Sequence, residues 1–185
     1  MDQEPEASFL DGRVVVLVGD IATQKVNAIV NAANSTLLGG GGVDGAIHSA
    51  GGSQILKECR ELRQTQYPQG LPTGEAVITT AGNLPAQFVI HTVGPIYGRD
   101  KEREAGLLAA CYQNALRLAI EYKLSSIAFP SISTGAFGYP RDKAAAISSR
   151  AIKESLAESD LIEQVRLVFF QAGDVRVFLQ FQNFG

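Results

Sequence analysis

Positive charge is in short supply. Sixteen Lys and Arg stand against nineteen Asp and Glu in a chain of 185 residues, for a formal charge of −3. That balance supplies no basic face to neutralise a phosphate backbone, which argues against a nucleic-acid polymer as the main ligand; a small anion held by backbone amides stays possible. Long apolar runs are missing as well. No window reaches the ~18 consecutive apolar residues of a membrane-spanning helix, and no basic segment leads into an apolar one at the N-terminus as in an export signal. A cytoplasmic protein with no membrane partner is the expectation. Cysteine is scarce: Cys59 and Cys111 lie far apart in segments of helical pattern, with no CxxC or paired Cys/His spacing. Disulfide and zinc-site readings both fail on that spacing, no metal is expected, and the two residues read as buried or half-buried thiols.

With 45% hydrophobic and 19% charged residues, a chain of this length suits one compact domain that buries roughly 70% of its unfolded surface. Residues 1–7 are polar and acidic and are expected to fray, leaving a single domain over 8–185. From there short β-branched runs alternate with helical patterns, as in a layered α/β domain. Strands are expected over 13–18, 28–31, 75–81, 88–93, 126–131 and 165–170. Several are nearly all apolar, as central strands covered on both faces should be. Helices are expected over 44–49, 53–65, 104–122, 141–159 and a short stretch around 174–181. In the third of these, Leu107, Leu108, Cys111, Tyr112, Ala115, Leu118 and Ala119 recur at helical spacing, so that stripe faces the sheet.

Two loops hold more glycine than a connection needs, 38–45 and 131–138. The first follows the apolar strand ending at Val30: Asn31-Ala32-Ala33-Asn34, then Gly39-Gly40-Gly41-Gly42-Val43-Asp44-Gly45. In open α/β sheets ligands sit outside the carboxyl ends of strands, where this loop lies. Glycines without Cβ atoms let backbone N–H groups converge on a phosphate beside a helix N-terminus. There is no GxxxxGK[ST], and no GxGxxG opening a helix directly after a strand, so neither a Walker-type NTPase nor a hydride-transfer enzyme is supported. The second loop, Ser131-Ile132-Ser133-Thr134-Gly135-Ala136-Phe137-Gly138, also runs from a strand into a helix. Two such loops suit a diphosphate clasped from both sides by main-chain donors, without Lys or Arg.

Single residues near these loops each admit a structural and a functional role. Asp44 is suited to cap the helix that follows it. His48, one helical turn on, reads as a packing residue or a base. Asn31 and Asn34 fit turn positions that satisfy local backbone. Phe137 either lies against a sugar or anchors the loop in the core. Asp20, in Gly19-Asp20-Ile21 just past an apolar strand, is placed to accept from an exocyclic amine such as that of adenine, or to cap a turn. Phe170, ending the last long strand, either stacks on a base or closes the core.

Taken in order, Gly19-Asp20-Ile21, Asn31-Ala32-Ala33-Asn34, the stretch from Gly39 to His48, His91-Thr92-Val93-Gly94-Pro95 and the stretch from Ser131 to Pro140 resemble the macrodomain family, in its MacroD-type branch. The resemblance covers the chain from about Gly12 to Phe181. It implies a three-layer α/β/α sandwich with a mixed, mostly parallel central sheet of about six strands. It implies bound ADP-ribose: Asp20, beside Ile21, takes the adenine amine and Phe170 stacks on the ring. Gly41, Gly42 and Val43 then line one side of the ligand, and Ser133, Thr134, Gly135, Ala136 and Phe137 the other. Asn31 belongs to the same set, and Asn34 and Asp44 approach the distal ribose. MacroD-type members remove mono-ADP-ribose from acidic protein side chains and deacetylate O-acetyl-ADP-ribose. The resemblance therefore implies an ester hydrolase in which Asn34 orients the ribose and Asp44 positions or activates a water, with no cofactor. The expected partners are ADP-ribose, O-acetyl-ADP-ribose and mono-ADP-ribosylated proteins, met by a monomer. Ala22 stands where many relatives carry Thr, and Ser49-Ala50-Gly51-Gly52 where Arg-Ala-Ala-Gly is common; both bear on fine contacts rather than on the class. The alternative is a reader module that binds ADP-ribose without turning it over, and the Asn34/Asp44 pair favours the enzyme. A nucleotide-dependent transferase on a similar frame rests on fold analogy alone.

Overall fold

The β-branched runs pair into one seven-stranded sheet in the order β1-β2-β7-β6-β3-β5-β4. In the computed structural model, which describes residues 3–185, the strands are β1 (Ala7–Phe9), β2 (Val14–Val18), β3 (Ala28–Ala33), β4 (Ala76–Thr80), β5 (Phe88–Val93), β6 (Ser126–Phe129) and β7 (Gln164–Phe169). The helices are α1 (Gly42–Gly51), α2 (Ser53–Thr65), α3 (Glu104–Glu121), α4 (Arg141–Ala157) and α5 (Ala172–Phe181). The neighbouring strands β2, β7, β6, β3 and β5 run parallel, and antiparallel β1 and β4 close the two edges.

The sheet has one strand more than the sequence suggests. The addition is β1, which begins at the last residue of the segment expected to fray and pairs with β2, and within that segment the Glu6 N–H donates to Val16 O at 2.8 Å. A three-residue edge strand carries too little periodicity to stand out, and its order comes from the partner it covers. Residues 1–2 of that segment lie outside the described residues.

Alternation along the strands divides the core into two layers. Val30 and Ile90 point to the side of α3, α4 and α5, packing with Leu108, Tyr112, Ile152 and Phe178. Ile29, Ala33, Val89 and Val93 point to the side of α1 and α2, packing with Ile47, Ile55 and Cys59. Both thiols are buried, and burial pushes Cys59 up to about 12 and Cys111 up to about 11. Among the described residues no helix is long and apolar enough to cross a membrane.

One detail of pairing opens the crevice. β3 and β5 stay in register over six residue pairs, whereas β3 and β6 pair only at Ala28↔Ile127 and Ile29↔Ala128. β6 then ends at Phe129 while β3 continues to Ala33, so the connections leaving the two strands diverge and leave room between them. Those connections are the two glycine loops.

Candidate functional site

The carboxyl ends of β2, β3, β5, β6 and β7 lie on one edge of the sheet, and the cleft there has two adjoining chambers. One, of about 480 Å³, is lined by Asp20, Ile21, Gly42, Val43, Thr134, Gly135 and Phe170 among others. The other, of about 320 Å³, is lined by Asn34, Gly41, Gly42, Val43, Asp44, Ser133, Gly135, Ala136 and Phe137 among others. Gly42, Val43, Ser131 and Gly135 belong to both walls and mark the waist. Every residue singled out by the sequence except Asn31 and His48 therefore meets in one cleft. Asn31 lies behind it, fully buried.

The waist is built from backbone. Gly42 enters α1 at φ 56, a left-handed conformation that glycine adopts without strain, and a Cβ at Gly41, Gly42 or Gly135 would meet nothing within 4 Å. No protein acceptor among the described residues takes the N–H of Gly41, Gly42 or Val43, nor that of Thr134, Gly135, Ala136 or Phe137. Two rows of donors thus face a gap, one of them at the positive end of α1. Other glycines serve close packing: a Cβ on Gly45 would sit 2.5 Å from Gly40 O, and one on Gly94 would overlap Ser133 Oγ.

Asp44 does not cap α1. The helix starts at Gly42 with Gly41 as its cap, which puts Asp44 in the first turn with its side chain turned back under the loop. It is buried, and its two oxygens differ. Oδ1 accepts from Asn31 Nδ2 at 2.8 Å, whereas Oδ2 makes no hydrogen bond to protein; Oδ2 and Asn34 Nδ2 lie 3.2 and 3.3 Å from where a Cβ on Gly40 would stand. Asn34 shapes its own turn: Nδ2 donates to Gly39 O at 3.1 Å, and Oδ1 accepts from the Thr36 N–H at 3.0 Å. His48 Nε2 approaches Asp44 Oδ1 at 3.4 Å but is not aligned for a hydrogen bond and has no other partner.

Behind Asp44 lies a row of polar side chains on an otherwise apolar face. Asn31 Nδ2 also lies 3.1 Å from His91 Nδ1, and His91 Nε2 lies 2.9 Å from Thr79 Oγ1 and 3.8 Å from Cys59 Sγ. Burial, and secondarily the neighbouring His48, lowers His91 from 6.5 to about 3, so its ring is neutral. His48, Cys59 and His91 bring one potential ligand atom each within 4.8 Å of one another. Both ring nitrogens of His91 are already hydrogen-bonded and the Cys59 thiol keeps its proton, so this is a packed polar cluster rather than an open metal site.

At the other end, Asp20 caps a single 3-10 turn, its Oδ1 accepting from the Ala22 N–H at 2.8 Å, and keeps its other oxygen for the chamber. Phe170 is 80% exposed on the chamber rim, so it does not close the core; Phe169, at 8%, does. The cleft is not free of basic residues as the loops alone suggest. Arg141, the first residue of α4, lines the larger chamber and pairs with Asp174 at 3.0 Å. It directly follows the second loop, so its position after Pro140 was the available signal.

A family model, the Macro domain, matches residues 30–148. The chain belongs to the macrodomain family. A macro domain-containing protein of Streptomyces griseus is 54% identical over 171 residues, 92% of this chain and 93% of that one. A protein of Pantoea vagans named O-acetyl-ADP-ribose deacetylase 1 is 47% identical, over 92% of this chain and 99% of that one. Among solved structures, a variant of the Oceanobacillus iheyensis macrodomain with ADPR superposes with TM-score 0.87 at 49% identity, covering 90% of each chain. The Trypanosoma brucei macrodomain in complex with ADP-ribose does so with TM-score 0.84 at 34% identity, covering 96% of this chain and 73% of that one. The mixed sheet with helices on both faces is thus the macrodomain fold.

Proposed function

We propose that this macrodomain binds ADP-ribose along the two-chambered cleft and hydrolyses an ester on its distal ribose. The larger chamber, with an exposed aromatic ring and a carboxylate acceptor, suits adenine. The waist, with facing rows of backbone donors, suits a diphosphate. The smaller chamber, with Asp44 and Asn34, suits the distal ribose and the bond to be cut. ADPR in the Oceanobacillus structure and ADP-ribose in the Trypanosoma structure support the binding half of this reading, and the name of the Pantoea relative supports the hydrolytic half.

One observation carries the chemistry: Asp44 lines the smaller chamber, tethered through Oδ1 while Oδ2 has no protein partner. A carboxylate held that way can orient a water and take its proton. The water oxygen adds to the ester carbonyl, the carbon–oxygen bond to the ribose breaks, and the ribose oxygen receives a proton, leaving ADP-ribose and a carboxylic acid. An ester is reactive enough that no covalent nucleophile on the protein is called for. Both O-acetyl-ADP-ribose and proteins carrying mono-ADP-ribose on acidic side chains present such an ester, and the chain acts on them as a monomer in the cytoplasm. The test is product release from each substrate alongside calorimetric binding of ADP-ribose. Binding with turnover is expected; binding without turnover would make the protein a reader, and no binding would overturn the assignment.

A further inference from the structure

We infer that His91 is a positioning residue for the reaction proposed above, acting through Asn31 to aim the Asp44 carboxylate at the smaller chamber. The inference rests on that functional reading for its kinetic consequence, but its structural content stands apart.

The hydrogen-bond polarity of the row follows from the carboxylate. Asp44 Oδ1 accepts, so the atom of Asn31 facing it at 2.8 Å is the amide nitrogen and not the oxygen. The second hydrogen of that nitrogen points to His91 Nδ1, 3.1 Å away, which must then be the unprotonated ring nitrogen. The ring proton consequently sits on Nε2 and is donated to Thr79 Oγ1 at 2.9 Å, whose own hydrogen goes to Thr80 O at 2.9 Å. Each group has one remaining choice once the preceding one is set. The row crosses three strands and a helix: Thr79 on β4, His91 opposite Asn31 in the β5–β3 register, and Asp44 on α1.

The location makes this more than filler. Thr79, Asn31 and His91 are buried on the sheet face where neighbouring inward positions are Ile29, Val77, Val89 and Val93. An amide, an imidazole and a hydroxyl at such positions cost stability unless satisfied, and this row is satisfied except at Asn31 Oδ1, which is buried without a partner; an apolar set of similar volume would pack there without that cost. What the polar set provides is a fixed orientation for Asn31, and through it for a carboxylate whose other oxygen stays free. A ring lacking an acceptor at the Nδ1 position would leave the second hydrogen of Asn31 Nδ2 buried without a partner, so the amide would shift off its present position and carry the Asp44 carboxylate with it. The ring stays neutral over the working pH range because burial opposes its protonation. His48 and Cys59 also face it, and neither hydrogen-bonds Nδ1, whose partner is the Asn31 amide.

The first test reads the tautomer in the unaltered protein and uses a variant only for assignment. The chain has two histidines, so the nitrogen-15 spectrum of histidine-labelled protein contains two rings, assigned by comparison with His91→Asn. A neutral His91 with its proton on Nε2 is expected; a proton on Nδ1 would overturn the proposal whether or not the protein turns over any ester. The second test is kinetic. His91→Asn keeps an acceptor near the Nδ1 position, and His91→Phe keeps the ring volume without one. With O-acetyl-ADP-ribose, His91→Phe should lower kcat by roughly 10- to 100-fold, the range expected from loss of a hydrogen bond to a charged group and a misplaced base. Its Kd for ADP-ribose should move by less than about threefold, since the binding walls are untouched. His91→Asn should recover most of kcat. Equal loss in both folded variants, or none in either, would contradict the positioning role. If His91→Phe does not fold, the tautomer and the His91→Asn kinetics still decide. Absence of turnover in the unaltered protein would instead defeat the hydrolase reading, with the spectrum still deciding the hydrogen-bond polarity.

Discussion

Phe170→Ala separates ligand binding from folding more cleanly than any other change at this site. The ring is 80% exposed and lies on the rim of the larger chamber, so the folded protein gains little from it. Removing it should change stability by no more than about 0.5 kcal/mol, as at most surface positions. If adenine stacks on the ring, its loss costs about 1–3 kcal/mol of binding, which is roughly 5- to 150-fold in Kd. Its neighbour Phe169 provides the opposite control. That ring is buried and lies 5.2 Å from Phe178 centroid to centroid, and Phe169→Ala should destabilise by about 3–5 kcal/mol. The assays are calorimetric titration with ADP-ribose, ADP and ribose-5-phosphate, plus a thermal melt. Phe170→Ala should weaken the two adenine-containing ligands, leave the ribose phosphate as weak as before, and melt with the parent protein. Unchanged affinity for ADP-ribose would refute the placement of adenine, and a fall of several degrees in Tm would show that the ring closes the core instead.

Asp20→Asn keeps the cap on the 3-10 turn, because Asn and Asp are equivalent there, but puts a donor where an amine proton should be received. ADP-ribose binding should weaken about tenfold or more while its hypoxanthine counterpart binds better, measured by parallel titrations. Gly94→Ala places a Cβ onto Ser133 Oγ and 2.7 Å from Ile132 Cγ2. The second loop must shift, at an expected cost of about 1–3 kcal/mol in urea unfolding together with weaker diphosphate binding. His91 also sets a pH dependence. Its pKa is lowered in the fold, so between 6.5 and about 3 the unfolded chain binds a proton that the native ring refuses. Stability should therefore fall as pH drops below 6.5, by up to a few kcal/mol on approaching 3, and His91→Asn should show a shallower decline in urea unfolding followed from neutral pH downward.

How much of this was legible in the sequence depends on the residue. Strands β2, β3 and β5, helices α1 and α3 and both glycine loops announce themselves through apolar runs broken by glycine and through helical spacing, because periodicity and turn chemistry are local properties. The three residues of β1 carry no such signal and become a strand through pairing with β2. The helix start was misplaced for a related reason. Asp44 has the composition of a cap, but a glycine at φ 56 let the helix begin two residues earlier and turned the carboxylate inward. The two readings of Phe170 and of Asn31 were open because exposure and burial are decided by tertiary packing: one ring ended on the rim, one amide behind the site. His91 carried a readable hint, a lone imidazole inside the apolar run Phe88-Val89-Ile90-His91-Thr92-Val93. Its partners, drawn from β3 and β4, were not readable from spacing.

The most direct test of the central claim compares Asp44→Ala and Asn34→Ala with the parent protein, in turnover of O-acetyl-ADP-ribose and in ADP-ribose affinity on the same samples. The proposed chemistry predicts that Asp44→Ala loses about 10²- to 10⁴-fold in kcat, that Asn34→Ala also falls, and that both still bind ADP-ribose through the donors of the waist. Turnover by Asp44→Ala at the parent rate would contradict the account, since the only carboxylate facing the smaller chamber among its lining residues would then be dispensable.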